Sequence, residues 1–232
     1  MKPLNTLLAV LLITLLPSLG WSTPLDELVK RDGLYYPKFS DVPFTGKVTG
    51  ETQGYLKDGR RDGDWVSFHS TGQLRYKGNY NNGEQEGVWV YYWSNGELHL
   101  KGNYNNGEQE GVWIEYHDNG QLYKKGDYKN GKKADVWVRY WDNGKFMEKG
   151  NYKNGKKEGI WHLYHYNGGV MSKSNFKNDY ADGNSIRYHD NGQLMTKGNY
   201  KNGKEVGVWV EYLENGELKY KDVYKDGVRI ND

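Results

Sequence analysis

The sequence predicts an all-β fold: an elongated single-layer antiparallel β-meander of 24-residue hairpin repeats. Three observations carry this. The string KGNYNNGEQEGVW stands at 77–89 and again at 101–113. Trp65, Trp89, Trp113, Trp137, Trp161 and Trp209 fall on one 24-residue ladder, and Ser185 occupies its one missing rung. Two series of Gly-containing turns alternate along the chain, and no 3.6-residue period appears between them.

The turns set the elements. One series is Asp58-Gly59, Asn82-Gly83, Asn106-Gly107, Asn130-Gly131, Asn154-Gly155, Asn202-Gly203 and Asp226-Gly227. The other runs from Thr71-Gly72 through Asn95-Gly96 and Asn119-Gly120 to Asn215-Gly216. Asn-Gly and Asp-Gly suit two-residue type I′ turns, whose central residues both need positive φ. Between turns lie about ten residues rich in aromatic and β-branched side chains, the composition of strands. About sixteen strands follow, roughly 75 Å of ribbon at the usual strand spacing.

Two-residue turns give a register. Trp89 then faces Gly102, Trp93 faces Leu98, Gly102 faces Gly111, Tyr104 faces Gln109, and Leu100 faces Trp113. One face thus carries Trp89, Trp93, Leu98, Gly102, Tyr104 and Trp113. Indoles of successive repeats stand two strands apart, roughly 9.6 Å, too far to stack. The intervening glycine lets each indole lie over bare backbone, which explains why Trp and Gly recur together. The opposite face carries Val88, Val90, Tyr92 and a row of lysines from Lys77 and Lys101 to Lys221. Their alkyl stems cover the valines and their ammonium groups stay wet.

The ends differ from the array. Lys2 followed by the largely apolar run Leu4–Leu16, with small residues before Gly20 and Ser22, reads as a secretory signal peptide over 1–22. Residues 23–43 lack the repeat and read as a lead-in or cap, with a short helix over Leu25–Arg31 and an extended segment at Tyr35 and Tyr36. The array then occupies 44–232, opening with a shortened unit. The chain has no cysteine, so disulfides and a lipidated cysteine are excluded. No second apolar run is long enough for a span, so the mature chain is expected outside the cytoplasm, secreted or periplasmic, and not as an integral membrane protein.

The pattern G-x-W-x-x-Y, N-G, K-G-N-Y, N-G, as in Gly111-Val-Trp-Ile-Glu-Tyr116, Asn119-Gly120, Lys125-Gly-Asp-Tyr128 and Asn130-Gly131, resembles the MORN repeat family in its bacterial variant form. The resemblance implies a single-layer sheet without catalytic residues that serves as a scaffold for protein contacts, some members contacting phospholipid. Many bacterial members resemble a group labelled YwqK-type antitoxins, which act by binding. The chain departs from the pattern at Asp135, Ser174, Asp179 and Ser185, so that 173–186 is expected to be the weakest part of the ribbon.

No catalytic or cofactor motif is present: no G-x-S-x-G, H-E-x-x-H or P-loop, and no G-x-G-x-x-G after a strand. His69, His117, His165 and His189 are equivalent, alternating with Trp93 and Trp141. Even the nearest two are roughly 9.6 Å apart by strand spacing, too far to share one zinc on a rigid sheet. The expectation is therefore no metal, no cofactor and no nucleic acid. The turn edge changes from NNGEQE to KNGKK along the chain, a gradient suited to steering an anionic partner.

The candidate binding face is Trp65, Trp89, Trp93, Trp113, Trp137, Trp141, Trp161 and Trp209 with Tyr104, Tyr128, Tyr152 and Tyr200. It suits an exported scaffold whose partner is another protein. Envelope glycan or anionic lipid is the alternative partner class, and toxin neutralisation a third reading. Export has a direct check: mass spectrometry of the protein from its native host should show an N-terminus near Trp21 or Thr23. An intact Met1 on cytoplasmic protein would refute it.

Overall fold

The structure is a computed structural model and describes residues 22–230. The signal-peptide reading, apart from its final residue, lies outside them. The strands are β1 (Ser22–Pro24), β2 (Leu28–Arg31), β3 (Leu34–Pro37), β4 (Gly46–Thr49), β5 (Thr52–Lys57), β6 (Arg60–Phe68) and β7 (Leu74–Asn81). The regular array continues as β8 (Glu84–Tyr92), β9 (Leu98–Asn105), β10 (Glu108–Tyr116), β11 (Leu122–Lys129), β12 (Lys132–Tyr140) and β13 (Phe146–Lys153). It ends with β14 (Lys156–Tyr164), β15 (Val170–Lys177), β16 (Tyr180–Tyr188), β17 (Leu194–Lys201), β18 (Lys204–Tyr212), β19 (Leu218–Lys225) and the two-residue β20 (Val228–Arg229).

From β4 onward each strand pairs antiparallel with the next, so the chain makes the expected meander. The sheet has 18 strands rather than about sixteen, because β1 adds a parallel strand beside β4 and β20 closes the far end. The helix expected over Leu25–Arg31 is a single 3-10 turn, Leu25–Glu27. The rest is hairpin: β2 pairs with β3 around Asp32 (φ 48°) and Gly33 (φ 81°). Turn chemistry and the β-prone Val29, Tyr35 and Tyr36 outweigh helix propensity there. This hairpin lies on the first units, where Leu25, Leu28 and Tyr35 meet the buried Phe44, Val48, Leu56 and Trp65. Backbone bonds from Tyr35 N to Gly59 O and from Phe44 N to Tyr35 O fix it.

The two turn series are different objects. At the first edge Asn82 (φ 48°) and Gly83 (φ 93°) make the expected two-residue turn between paired Asn81 and Glu84. At the second edge the expectation fails. Asn95 keeps negative φ and only Gly96 is left-handed (φ 88°). Gly96 N donates to Trp93 O and Trp93 N donates to Glu97 O, a type I turn followed by a glycine bulge. Trp93 therefore faces Glu97, not Leu98, which pairs with Tyr92.

The register beyond the first-edge turns is corrected as well. Tyr104 pairs with Gln109 as expected, but Ile114 pairs with Lys101 and Glu115 with Leu100. Gly111, Val112 and Trp113 together oppose Gly102, so Gly102 does not face Gly111 alone, nor Leu100 face Trp113. Left-handed Gly111 (φ 67°) makes this bulge. It swings the Trp113 indole onto Gly102, where a methyl group would lie 2.1 Å from the ring. The same relation joins Trp65 to Gly54, Trp89 to Gly78, Trp137 to Gly126, Trp161 to Gly150 and Trp209 to Gly198.

At the missing rung the sheet stays paired. Ser174 stands opposite Ser185, and their hydroxyls are 2.8 Å apart. Asp179 keeps the left-handed turn (φ 73°) and its carboxylate accepts from Lys157 N at 2.7 Å. Asp135 takes the bulge position of Gly111 at φ 55° without the freedom of glycine.

Two glycine sites thus differ in kind, and opposite outcomes are expected. Asp135→Gly relieves a left-handed side chain and should raise the thermal midpoint by about 2 °C. Gly102→Ala collides with the Trp113 ring and should cost about 1–3 kcal/mol. Thermal and urea unfolding check both; a neutral Gly102→Ala would show that the indole does not rest on that backbone.

Candidate binding surfaces

The predicted binding residues divide by burial. The six rung indoles are core: Trp65, Trp89 and Trp161 are at most 1% exposed, and even Trp209 only 8%. What separates successive indoles is tyrosine. Trp65, Tyr80, Trp89, Tyr104, Trp113, Tyr128, Trp137, Tyr152 and Trp161 form one edge-to-face series with centroids 5.0–6.1 Å apart. Phe176 extends it at 6.5 Å, and Tyr200–Trp209 resumes it at 4.9 Å beyond the missing rung. Edge-to-face geometry sets the positive rim of one ring on the negative face of the next.

Cations cover part of this series. Arg61 lies 4.5 Å from the Trp65 ring, Lys133 4.7 Å from Trp137 and Lys157 4.0 Å from Trp161. Sequence reading missed them, although each stands four residues before its tryptophan. The indole N–H groups of Trp89, Trp137, Trp161 and Trp209 donate to the carbonyls of Asn79, Asp127, Asn151 and Asn199 at 3.0–3.2 Å. Those of Trp65 and Trp113 are buried without an acceptor among the described residues.

Tyr80, Tyr104, Tyr128, Tyr152 and Tyr200 are half-buried and form the outer margin of the indole face. Burial pushes the phenols of Tyr104, Tyr128, Tyr152 and Tyr200 above their ordinary value. The neighbouring Tyr91 is pushed up to about 12, chiefly by burial. These hydroxyls stay protonated and serve as neutral donors at any ordinary pH. Toward the second edge lies a strip that changes with each repeat: Tyr91 beside Leu100, Glu115 beside Lys124 (2.6 Å), Arg139 beside Glu148 (2.9 Å), and Leu163 beside Ser172.

Trp93 and Trp141 are not on the indole ladder. They belong to a second-edge series with the histidines. Trp93 Nε1 donates to Tyr116 O and Trp141 Nε1 to Tyr164 O. His69, His117, His165 and His189 bond Tyr92, Tyr140, Tyr188 and Tyr212 carbonyls through Nε2 at 2.9–3.2 Å. Each ties its turn to the next repeat. Asn95 and its equivalents do the same, as in Asn95 Nδ2 to Asp118 O, while Asn95 Oδ1 accepts from Glu97 N. Among the described residues no cluster of three His, Asp or Glu could hold a metal.

On the opposite face, Val88, Val112, Val136, Ile160 and Val208 form an exposed aliphatic row, of which Ile160 is 60% exposed. Beside it a second row crosses the sheet as direct pairs: Lys77–Val90–Lys101–Ile114–Lys125–Val138–Lys149–His162–Lys173–Ile186–Lys197–Val210. Each lysine named is exposed. Sequence reading found the lysines but not their alternation, nor His162 as its one ionisable spacer. Ile160, His162, Lys173, Asn175, Asn184 and Ile186 border a shallow depression of about 410 Å³.

A family model described as MORN repeat variant matches the chain seven times, at 61–82, 85–106, 109–130, 136–154, 157–178, 181–202 and 205–226. No curated protein matches the chain. The seven segments follow the hairpins centred on the second-edge turns.

Burial lowers the His162 imidazole below its ordinary value, and Lys173 and Lys149 push it the same way. The unfolded chain then takes up that proton first as pH falls. The stability His162 contributes is full above the ordinary imidazole range and is lost as pH drops through it. Thermal midpoints should fall from about pH 7 to about pH 5, and less so in His162→Val. An equal fall in both proteins would refute the assignment.

Proposed function

Because the chain belongs to the MORN repeat variant family, we propose that it is an exported, non-catalytic scaffold on which another protein docks along the tyrosine margin of the indole face. The observation that carries this is the partly exposed file of Tyr80, Tyr104, Tyr128 and Tyr152, each ring held edge-on between buried indoles. Tyrosines held this way offer large contact area and a hydroxyl, and lose little side-chain entropy on binding. Interfaces are enriched in tyrosine for these reasons. The rung indoles support this surface from beneath. Burial keeps Trp65, Trp89, Trp113, Trp137, Trp161 and Trp209 from being its principal contacts.

The strip beside the tyrosines supplies selectivity. Repeated positions answer to the fold: the indole, the glycine beneath it, and the turn asparagines. The pairs Tyr91–Leu100, Glu115–Lys124, Arg139–Glu148 and Leu163–Ser172 answer to no such demand and differ from one repeat to the next. A partner reading both strips would have one register along the ribbon. Among the described residues no helix is long and apolar enough to cross a membrane.

Site-specific photocrosslinking tests this. A benzophenone side chain at Tyr104 or Tyr152 should capture one protein partner from the native envelope, and the same group at Val112 or Val136 should capture it weakly or not at all. Capture confined to the Val112 and Val136 positions would overturn the docking face.

A further inference from the structure

The lysine row on the other face is a separate feature, and its chemistry points to a different ligand. Lys77, Lys101, Lys125, Lys149, Lys173 and Lys197 are all exposed and, among the described residues, make no ion pair. The carboxylates of Asp64, opposite Asn79, and Asp127, opposite Val112, share this face without pairing to these lysines, and the acidic row of the first edge is held elsewhere. Asp62, Glu86, Glu110, Glu158 and Asp182 accept from the backbone N–H of Asn82, Asn106, Asn130, Asn178 and Asn202 at the first edge. The positive potential of the row is therefore not neutralised by a paired carboxylate.

Its geometry is linear and periodic. Cross-strand pairs place one ammonium group every second strand, roughly 9.6 Å apart, with Val90, Ile114, Val138 and Ile186 between them. At one step the spacer is His162, which directly opposes Lys149 on one side and Lys173 on the other. Asn184 borders the same depression and adds an amide donor to these nitrogens, while the Asn175 amide donates to Asp182 O at 2.6 Å. The exposed Val88, Val112, Val136 and Ile160 stand alongside as aliphatic steps two strands apart, with Asn103, Asp127 and Asn151 between them.

We propose that this row is a binding track for a linear acidic polysaccharide, anchored where His162 stands between Lys149 and Lys173. Carboxylates along such a chain meet the lysines, and the C–H faces of its sugar rings lie on the valines and isoleucines. Other polyanions fit less well. Sheets twist by roughly 20–25° per strand, so a flat bilayer meets only a few lysines at once, whereas a flexible chain follows the row. Single-stranded nucleic acid relies on bases stacking on free aromatic faces, and the tyrosines flanking this row are partly buried against neighbouring rings, as Tyr164 is against His162 and Phe146. An acidic peptide gains most by adding to a strand edge, and the central strands are paired on both sides.

The proposal stands on the face opposite the protein-docking margin, so either can fail without the other. Polygalacturonate, a linear uronic-acid polymer, is the probe, titrated into the mature chain at about 50 mM salt, where charges are weakly screened. Binding should be saturable and weaken at least about tenfold in Lys101→Gln/Lys125→Gln/Lys149→Gln. Lys129→Gln/Lys153→Gln/Lys201→Gln removes the same charge from the turn edge and should leave affinity within about twofold. His162→Val should weaken binding several-fold with the fold intact by circular dichroism. No binding to polygalacturonate, equal loss in the two triple variants, or tighter binding to phosphatidylglycerol vesicles or single-stranded DNA would each overturn the proposal.

Discussion

An indole lying flat on a glycine is the contact on which the rest of this protein depends. A single-layer sheet has no second layer to bury its side chains. Here each tryptophan uses the neighbouring strand's backbone as its floor, and the tyrosines of adjacent strands as its walls. The result is a core one ring deep, spread along the ribbon instead of gathered at a centre. Every rung needs a bulge to tilt the indole over, and every bulge needs a residue that accepts positive φ. Thus the two glycines of the repeat serve one purpose from two sides. Gly102 makes room for the ring, and Gly111 delivers it.

The edges hold the rungs in line. At the second edge, imidazole, indole and carboxamide groups bond carbonyls of the next repeat. At the first, glycine N–H groups bond the preceding repeat, as from Gly107 N to Gln85 O, and carboxylates meet turn amides. Irregular units lose single contacts from this set without losing the sheet. Ala134 gives up the carboxylate that Glu110 supplies to Asn130 N, and Ser185 gives up an indole. Two serine hydroxyls fill the latter place with a polar contact, so the wider sheet continues past a gap in its aromatic core.

Much of this was legible in the sequence. Period, strand number to within two, turn positions and the pairing of Trp89 with Gly102 follow from Asn-Gly spacing and alternation. Across the first-edge strands the face assignments survived the wrong register, because the bulge at Gly111 inserts two residues and a shift of two leaves every side chain on its own face. At the second edge, by contrast, Tyr91 pairs with Leu100 but Tyr92 with Leu98, a shift of one that breaks the expected Trp93–Leu98 pair. The second-edge turns were misread because Asn-Gly serves both a type I′ turn and a type I turn with a bulge. The dihedral of Asn95 decides between them, and its identity does not. Burial of the rungs was hidden for another reason. Spacing between tryptophans alone leaves open gaps, and only the intervening tyrosines, at 5.0–6.1 Å, close them. His162 went unnoticed because it interrupts a row that only the true register assembles.

The hairpin pairings and edge bonds described here join residues within about one repeat of each other. Contact order is therefore low for an all-β protein, in which distant strands commonly must meet before anything is gained. Closing each new hairpin costs the same loop entropy wherever it occurs along the chain. Folding then has the character of a helix–coil process, with one unfavourable nucleus followed by repeated additions on a finished template. Among the described residues, the first unit, with its own small cluster of Phe44, Val48, Leu56 and Trp65 beneath the β2–β3 hairpin, gives that nucleus more than a single rung to draw on. It is also the part of the array that leaves a ribosome first, so the template is complete before the later repeats need it.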